Sequence, residues 1–192
     1  MSPSARTPLL IVGGGLLIGL AVGLIVLFGL PPARGAQGAV IGDPGTPQVI
    51  APAPVVGAPA PDFHLQDTAG NYHTIADAKG HPLLINFWAT WCGPCRVEMP
   101  AIEARYQSNQ AKGLMVYAVD ADEPKPDVED FARTFKLSFT VLLDPGAKVQ
   151  DLYQIRGYPT SFFVDGKGVI KVVHIGAMTE RQLDDNLAKI LP

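Results

Sequence analysis

A chain of 192 residues has room for one domain plus appendages, and its formal net charge is only −3. So slight a balance, with no basic run, gives no electrostatic footprint for a nucleic-acid backbone. Its two cysteines, Cys92 and Cys95, exclude a disulfide scaffold and are too few for a four-cysteine zinc site.

Residues 1–8 form a short tail. Residues 9–30 contain no charged side chain. At about 1.5 Å per residue, such a run crosses a hydrocarbon core of roughly 30 Å, which predicts a transmembrane anchor. Arg6 and Arg34 flank it evenly, but the tail is brief and carries the free amino group. An inside, cytoplasmic tail is therefore expected, with the rest of the chain on the extracytoplasmic, periplasmic side of a single-pass anchor. A cleaved signal peptide is the rival reading, with Ala33, Gly35 and Ala36 as small residues for a peptidase. Its apolar region is normally about 7–15 residues, shorter than this one. Gly15, Gly19 and Gly23 would let two anchors approach closely, although glycine is common in membrane helices anyway.

Residues 31–57 are rich in Pro, Ala and Gly, with almost no charge and no helical or alternating period. They read as a semi-rigid tether, at about 3 Å per residue where extended. The folded domain is expected over 58–192. Short strands at 62–65 and 72–75 flank the turn residues Asp67, Ala69, Gly70 and Asn71, predicting an N-terminal β-hairpin. The apolar run 83–88 has the length of a strand buried on both faces. A helix follows over 93–111, then a buried strand at 114–119. An amphipathic helix over 127–135 places Val128, Phe131, Ala132 and Phe135 on one face. A short strand at 141–143, a hairpin of 161–164 with 169–174, and a helix over 180–190 complete the chain. This order describes an α/β sandwich with a mixed central sheet.

Trp91-Cys92-Gly93-Pro94-Cys95 falls where the buried strand gives way to the first helix. A nucleophilic sulfur must be a thiolate, and a helix N-terminus offers unpaired N–H groups and partial positive charge to hold one. Cys92 would feel that field. Cys95, one turn on, would lie beneath it. Cys92 can then attack a disulfide and Cys95 can resolve the mixed disulfide. Gly93 lets a partner backbone approach, and Pro94 suits the first helical turn. A structural bridge across so short a loop would constrain little chain entropy. A metal site would need further ligands, and His64, His73, His81 and His174 are scattered.

At these residues the domain resembles the thioredoxin superfamily, and specifically the TlpA/ResA-like membrane-anchored reductases, which include the cytochrome c maturation thioredoxins. The likeness runs from Ala58 to Leu191. The stretch Asn86 to Pro100 (NFWATWCGPCRVEMP), then Tyr158-Pro159-Thr160, then Asp165-Gly166-Lys167-Gly168, carry it in that order. The resemblance implies a three-layer thioredoxin-like fold with a redox-active Cys92–Cys95 disulfide and no separate cofactor or metal. It implies a cis bond before Pro159, beside which a substrate chain would lie against Trp91, Gly93, Pro94, Tyr158 and Thr160. Cytoplasmic thioredoxins keep a buried aspartate where this chain has Asn86. The anchored reductases have asparagine there and match Glu98 and Glu123 as proton-handling acids. For Glu98 a solvated helix position is the competing reading. Trp88 is expected in the core and Arg96 as an exposed helix residue.

The expected activity is therefore reduction of disulfides in exported proteins such as apocytochrome c, with a membrane thiol transporter as electron donor. Peroxiredoxins share the fold but place threonine three residues, and proline seven residues, before their reactive cysteine; here those positions hold Ala89 and Ile85. A copper-binding assembly protein, using both thiols and a histidine such as His174, is the alternative from another class. A non-enzymatic adaptor is a third.

Overall fold

The structure, a computed structural model, describes residues 52–192. The expected tail and anchor, and the tether up to residue 51, lie outside these. No helix among the described residues is long and apolar enough to cross a membrane.

Among the described residues seven strands form one mixed sheet: β1 (Leu65–Asp67), β2 (Tyr72–His73), β3 (Leu83–Trp88), β4 (Met115–Asp120), β5 (Thr140–Leu143), β6 (Thr160–Val164) and β7 (Ile170–Ile175). Their order across the sheet is β2-β1-β5-β4-β3-β6-β7. β3, β4 and β5 run parallel, while β6, β7, β1 and β2 are antiparallel to their neighbours. β3 is buried along its whole length. Its alternating side chains therefore serve two cores. Leu84 and Trp88 pack on one face with Met99, Ile102, Phe131, Leu183 and Leu187. Leu83, Ile85 and Phe87 pack on the other with Tyr117, Tyr153 and Phe162. The expected three-layer thioredoxin-like sandwich is thus observed.

Among the described residues four α-helices accompany the sheet: α1 (Gly93–Asn109), α2 (Lys125–Thr134), α3 (Lys148–Leu152) and α4 (Glu180–Leu187). α1 is shorter than expected. It tightens into a 3₁₀ turn at Gln110–Lys112, which Gly113 ends in the left-handed region at φ 83°. α2 begins earlier than expected because Pro126 occupies the first turn, where no N–H is needed. α4 starts at a capping box between Thr179 and Gln182 and ends before 190. α3 was not expected at all.

The N-terminal hairpin is shifted from its expected bounds. Asp62 is not a strand residue; its carboxylate accepts N–H bonds from Phe63 and Ile75 (2.9 and 2.8 Å). Asp67, expected only in the turn, ends β1 and accepts from the Ala69 and Asn71 N–H groups. Side-chain acceptors here compete with the ladder and shorten it.

Candidate active site

The end of β3 and the start of α1 are the junction that the cysteine spacing points to. Cys92 is the N-cap of α1, extended at φ −77° and ψ 104°, and Pro94 sits in the first turn. Cys92 and Cys95 form a disulfide, with Cα atoms 5.3 Å apart. The Cys95 N–H donates to Cys92 Sγ at 3.2 Å. That bond is one of the unpaired helix donors directed at the sulfur that must carry negative charge. The two sulfurs differ in access: Cys92 is 5% exposed and Cys95 fully buried. The opening at Cys92 is narrow, but its neighbourhood is not. Trp91 is 67% exposed, and a Cβ added at Gly93 would meet nothing within 4 Å.

The second wall is the loop before β6. The Tyr158–Pro159 bond is cis, as expected. The Pro159 carbonyl is taken by Gly176 N–H (2.8 Å), which ties the loop to the end of β7. The Trp91 and Tyr158 rings meet edge to face, with centroids 5.7 Å apart, so this loop lies against the cysteine loop. Thr160 is buried, and its hydroxyl donates to the Gly157 carbonyl (2.8 Å). Its side chain closes the loop, and its backbone lies between Phe87 of β3 and Ile175 of β7.

Acidic groups lie beneath. Glu98 is 3% exposed, which overturns the solvated reading. It accepts from Met178 N–H at 2.9 Å, with Asn86 Nδ2 at 3.5 Å. Burial pushes its carboxyl up to about 7, although both contacts pull it down. The signal for this was present in the sequence: Cys95, Glu98, Met99 and Ile102 share one helical face and all are buried. Glu123 is half-buried. Its carboxylate accepts both Thr90 N–H and Thr90 Oγ1 at 2.6 Å, so it grips the residue before Trp91.

The sequence reading missed Asp120. It ends β4 opposite Trp88 and is fully buried. One of its oxygens accepts Glu123 N–H at 2.7 Å, while Oδ1 has no partner among the described residues. The Trp88 indole N–H is likewise unpartnered. Burial pushes the Asp120 carboxyl up to about 7; the Glu123 N–H bond works against it and the neighbouring Glu123 side chain adds to it. The available signal was an acid closing an apolar run at the carboxyl end of a parallel strand, where sites gather in open α/β sheets.

Arg96 is not aimed at the sulfurs. Its guanidinium lies over the Phe131 and Phe135 rings (5.2 and 5.1 Å) and donates to the Thr90 carbonyl. His174 is the penultimate residue of β7, opposite Ser161. Among the described residues no three His, Cys, Asp or Glu side chains cluster as a metal site would require.

A sulfur with a narrow opening at a helix N-cap, a fully buried partner one turn on and a cis-proline in the loop packed against Trp91 together define a thiol–disulfide oxidoreductase of the thioredoxin class. The chain belongs to the AhpC/TSA family, whose profile matches residues 56–173. It is 39% identical over 140 residues to the thiol-disulfide oxidoreductase ResA of Geobacillus thermodenitrificans, covering 73% of this chain and 80% of that one. It is 42% identical over 134 residues to the thioredoxin-like protein YneN of Bacillus subtilis, covering 68% and 78%. A solved Chlorobium tepidum structure, assigned as thiol:disulfide interchange protein DsbE, superposes with a TM-score of 0.68 at 33% identity. That match covers 72% of this chain and 99% of the other.

Proposed function

We propose that this oxidoreductase reduces disulfides of exported proteins on the outer side of the cell membrane, held there by residues 9–30. The asymmetry between the two cysteines carries the reading: Cys92 keeps a narrow opening beside the free space at Gly93, while Cys95 is sealed. In the reduced enzyme the Cys92 thiolate attacks a substrate disulfide. An S–S bond forms between Cys92 and the substrate, and the first substrate sulfur leaves as thiolate. Cys95 then gives up its proton and attacks Cys92 Sγ, releasing the second substrate thiol and leaving the Cys92–Cys95 disulfide. Two electrons pass to the substrate, and a membrane thiol transporter returns them. Glu98, one turn beyond Cys95 on the same helical face, and Asp120, which holds the Glu123 N–H, are the groups able to take and return the resolving thiol's proton near neutral pH. Apocytochrome c suits the role, because haem attachment needs free thiols, and so do other exported thiol proteins.

The test is Cys95→Ala expressed in cells. Without the resolving thiol the mixed disulfide persists, and mass spectrometry identifies what is attached to Cys92. Exported proteins with paired cysteines are the expected catch. Absence of any adduct dependent on Cys92, or adducts with cytoplasmic proteins alone, would overturn the reading.

A further inference from the structure

The side chain of Gln150 ends on three different parts of the fold. It lies on α3 and is 5% exposed. Its Nε2 donates to the Asp120 carbonyl at 3.2 Å and stands 3.4 Å from Asp144 Oδ2. Its Oε1 accepts from the Tyr158 hydroxyl. The buried Asp144 also accepts the Val149 and Gln150 N–H groups (3.1 and 2.9 Å), which pins the first turn of α3 in place.

From Asp120 the contacts continue back to the disulfide. Asp120 holds Glu123 N–H, Glu123 holds Thr90, and Thr90 precedes Trp91, whose ring meets Tyr158. The path Tyr158–Gln150–Asp120–Glu123–Thr90–Trp91 is therefore a closed ring. It joins the loop that carries Cys92 to the loop that carries Pro159. A buried amide needs partners, and the Asp120 and Asp144 oxygens would satisfy its donors alone. The acceptor end is different. Tyr158 is only half-buried, so its hydroxyl could bond to water; instead it is turned inward onto Gln150.

We propose that Gln150 is a positioning residue for dithiol exchange, fixing the Tyr158–Pro159 loop against Trp91 so that a substrate polypeptide can lie beside Cys92. The inference rests on the oxidoreductase reading and adds the residue that sets its docking surface. Gln150 touches no reacting atom. Its effect should therefore fall on the binding of a polypeptide disulfide and leave the intrinsic reactivity of the Cys92 sulfur alone.

The experiment uses the full-length chain as wild type, Tyr158→Phe, Gln150→Met and the double variant. Insulin reduction gives KM and kcat, and iodoacetamide gives the alkylation rate of reduced Cys92. Losing one buried hydrogen bond that orders the loop should raise KM for insulin about fivefold, with kcat within about twofold. The alkylation rate should be unchanged. The double variant should show no more than the larger single effect, because one contact is being removed twice. An unchanged KM in Tyr158→Phe, additive effects, or alkylation that slows in step with KM would each overturn the proposal. Should Gln150→Met fail to fold, Gln150→Leu takes its place in the cycle, because Tyr158 itself lines the expected substrate path and Tyr158→Phe needs the Gln150 variant beside it. A wild-type chain unable to reduce insulin would instead sink the oxidoreductase reading on which the proposal stands.

Discussion

Glu98→Gln separates the two tasks a buried carboxyl can have, because an amide still accepts a hydrogen bond but does not titrate. In the folded chain the Glu98 carboxyl is raised from 4.5 to about 7, chiefly by burial. The folded state thus holds this proton over a range where the unfolded chain has lost it. By linkage, stability falls as pH rises through that range. The contribution is full below about 4.5 and is lost as pH climbs through about 7. At 1.36 kcal/mol per unit, the interval of 7 − 4.5 amounts to about 3 kcal/mol. Urea unfolding of the oxidised wild type and variant across pH 5 to 8 measures it, and other titrating groups cancel in the difference. Gln keeps an acceptor for Met178 N–H, so the variant should gain steadily on the wild type, by roughly 1.4 kcal/mol per pH unit between pH 5 and 7. A difference flat to about 0.5 kcal/mol over that range would refute the argument, since Glu98 would then ionise like an exposed acid.

Two further changes test neighbouring parts of the structure. Glu123→Gln removes a negative charge from beside Asp120, whose carboxyl is pushed to about 7 by burial first and by Glu123 second. Its titration, followed by carboxyl ¹³C shifts, should move toward lower pH while staying above the ordinary aspartate range; an unmoved titration would mean the two acids are not coupled. Gly113→Ala forces a side chain into the left-handed region at φ 83° and brings a Cβ within 2.8 Å of His81 Nδ1. A loss of about 1–2 kcal/mol is expected from the backbone alone, read from the urea midpoint, and an unchanged midpoint would refute it.

The parts of the fold legible in the sequence were those whose signal is local. β3 is six residues, five of them apolar around Asn86, buried throughout, and it could be placed to the residue. α3 could not. Its five residues are too few to show a helical period, and its start is fixed by Asp144, whose carboxylate accepts the Val149 and Gln150 N–H groups from outside the helix. The site divides in the same way. Cys92, Gly93, Pro94 and Cys95 are adjacent, so their spacing carries their geometry. Pro159 came from the family likeness, and the cis bond is where that likeness put it. Asp120 and Gln150 went unread because their burial is imposed by strands and loops remote in sequence. No local pattern around Gln150 foretells Tyr158, eight residues on, or the Asp120 carbonyl, 30 residues back, as its partners.

The placement of the acids has a consequence for Asn86. Asparagine at the centre of β3 cannot carry a proton, but it is not idle: Nδ2 donates to Ser161 Oγ at 2.9 Å and stands 3.5 Å from Glu98 Oε2. It therefore links the acid on α1 to β6, two residues beyond the cis-proline Pro159. Titratable groups sit on either side of it, Glu98 on the helix and Asp120 at the end of the adjacent strand. Each is also a structural acceptor, Glu98 for Met178 N–H and Asp120 for Glu123 N–H. A carboxyl tied in this way cannot turn to water when it ionises, which is why burial outweighs the bonds it accepts and keeps its proton near neutrality. The amide at position 86 preserves the geometry without adding a third charge to a region already holding two reluctant acids. An aspartate there would have to share protons with Glu98 through the same contact, and both would be driven higher still.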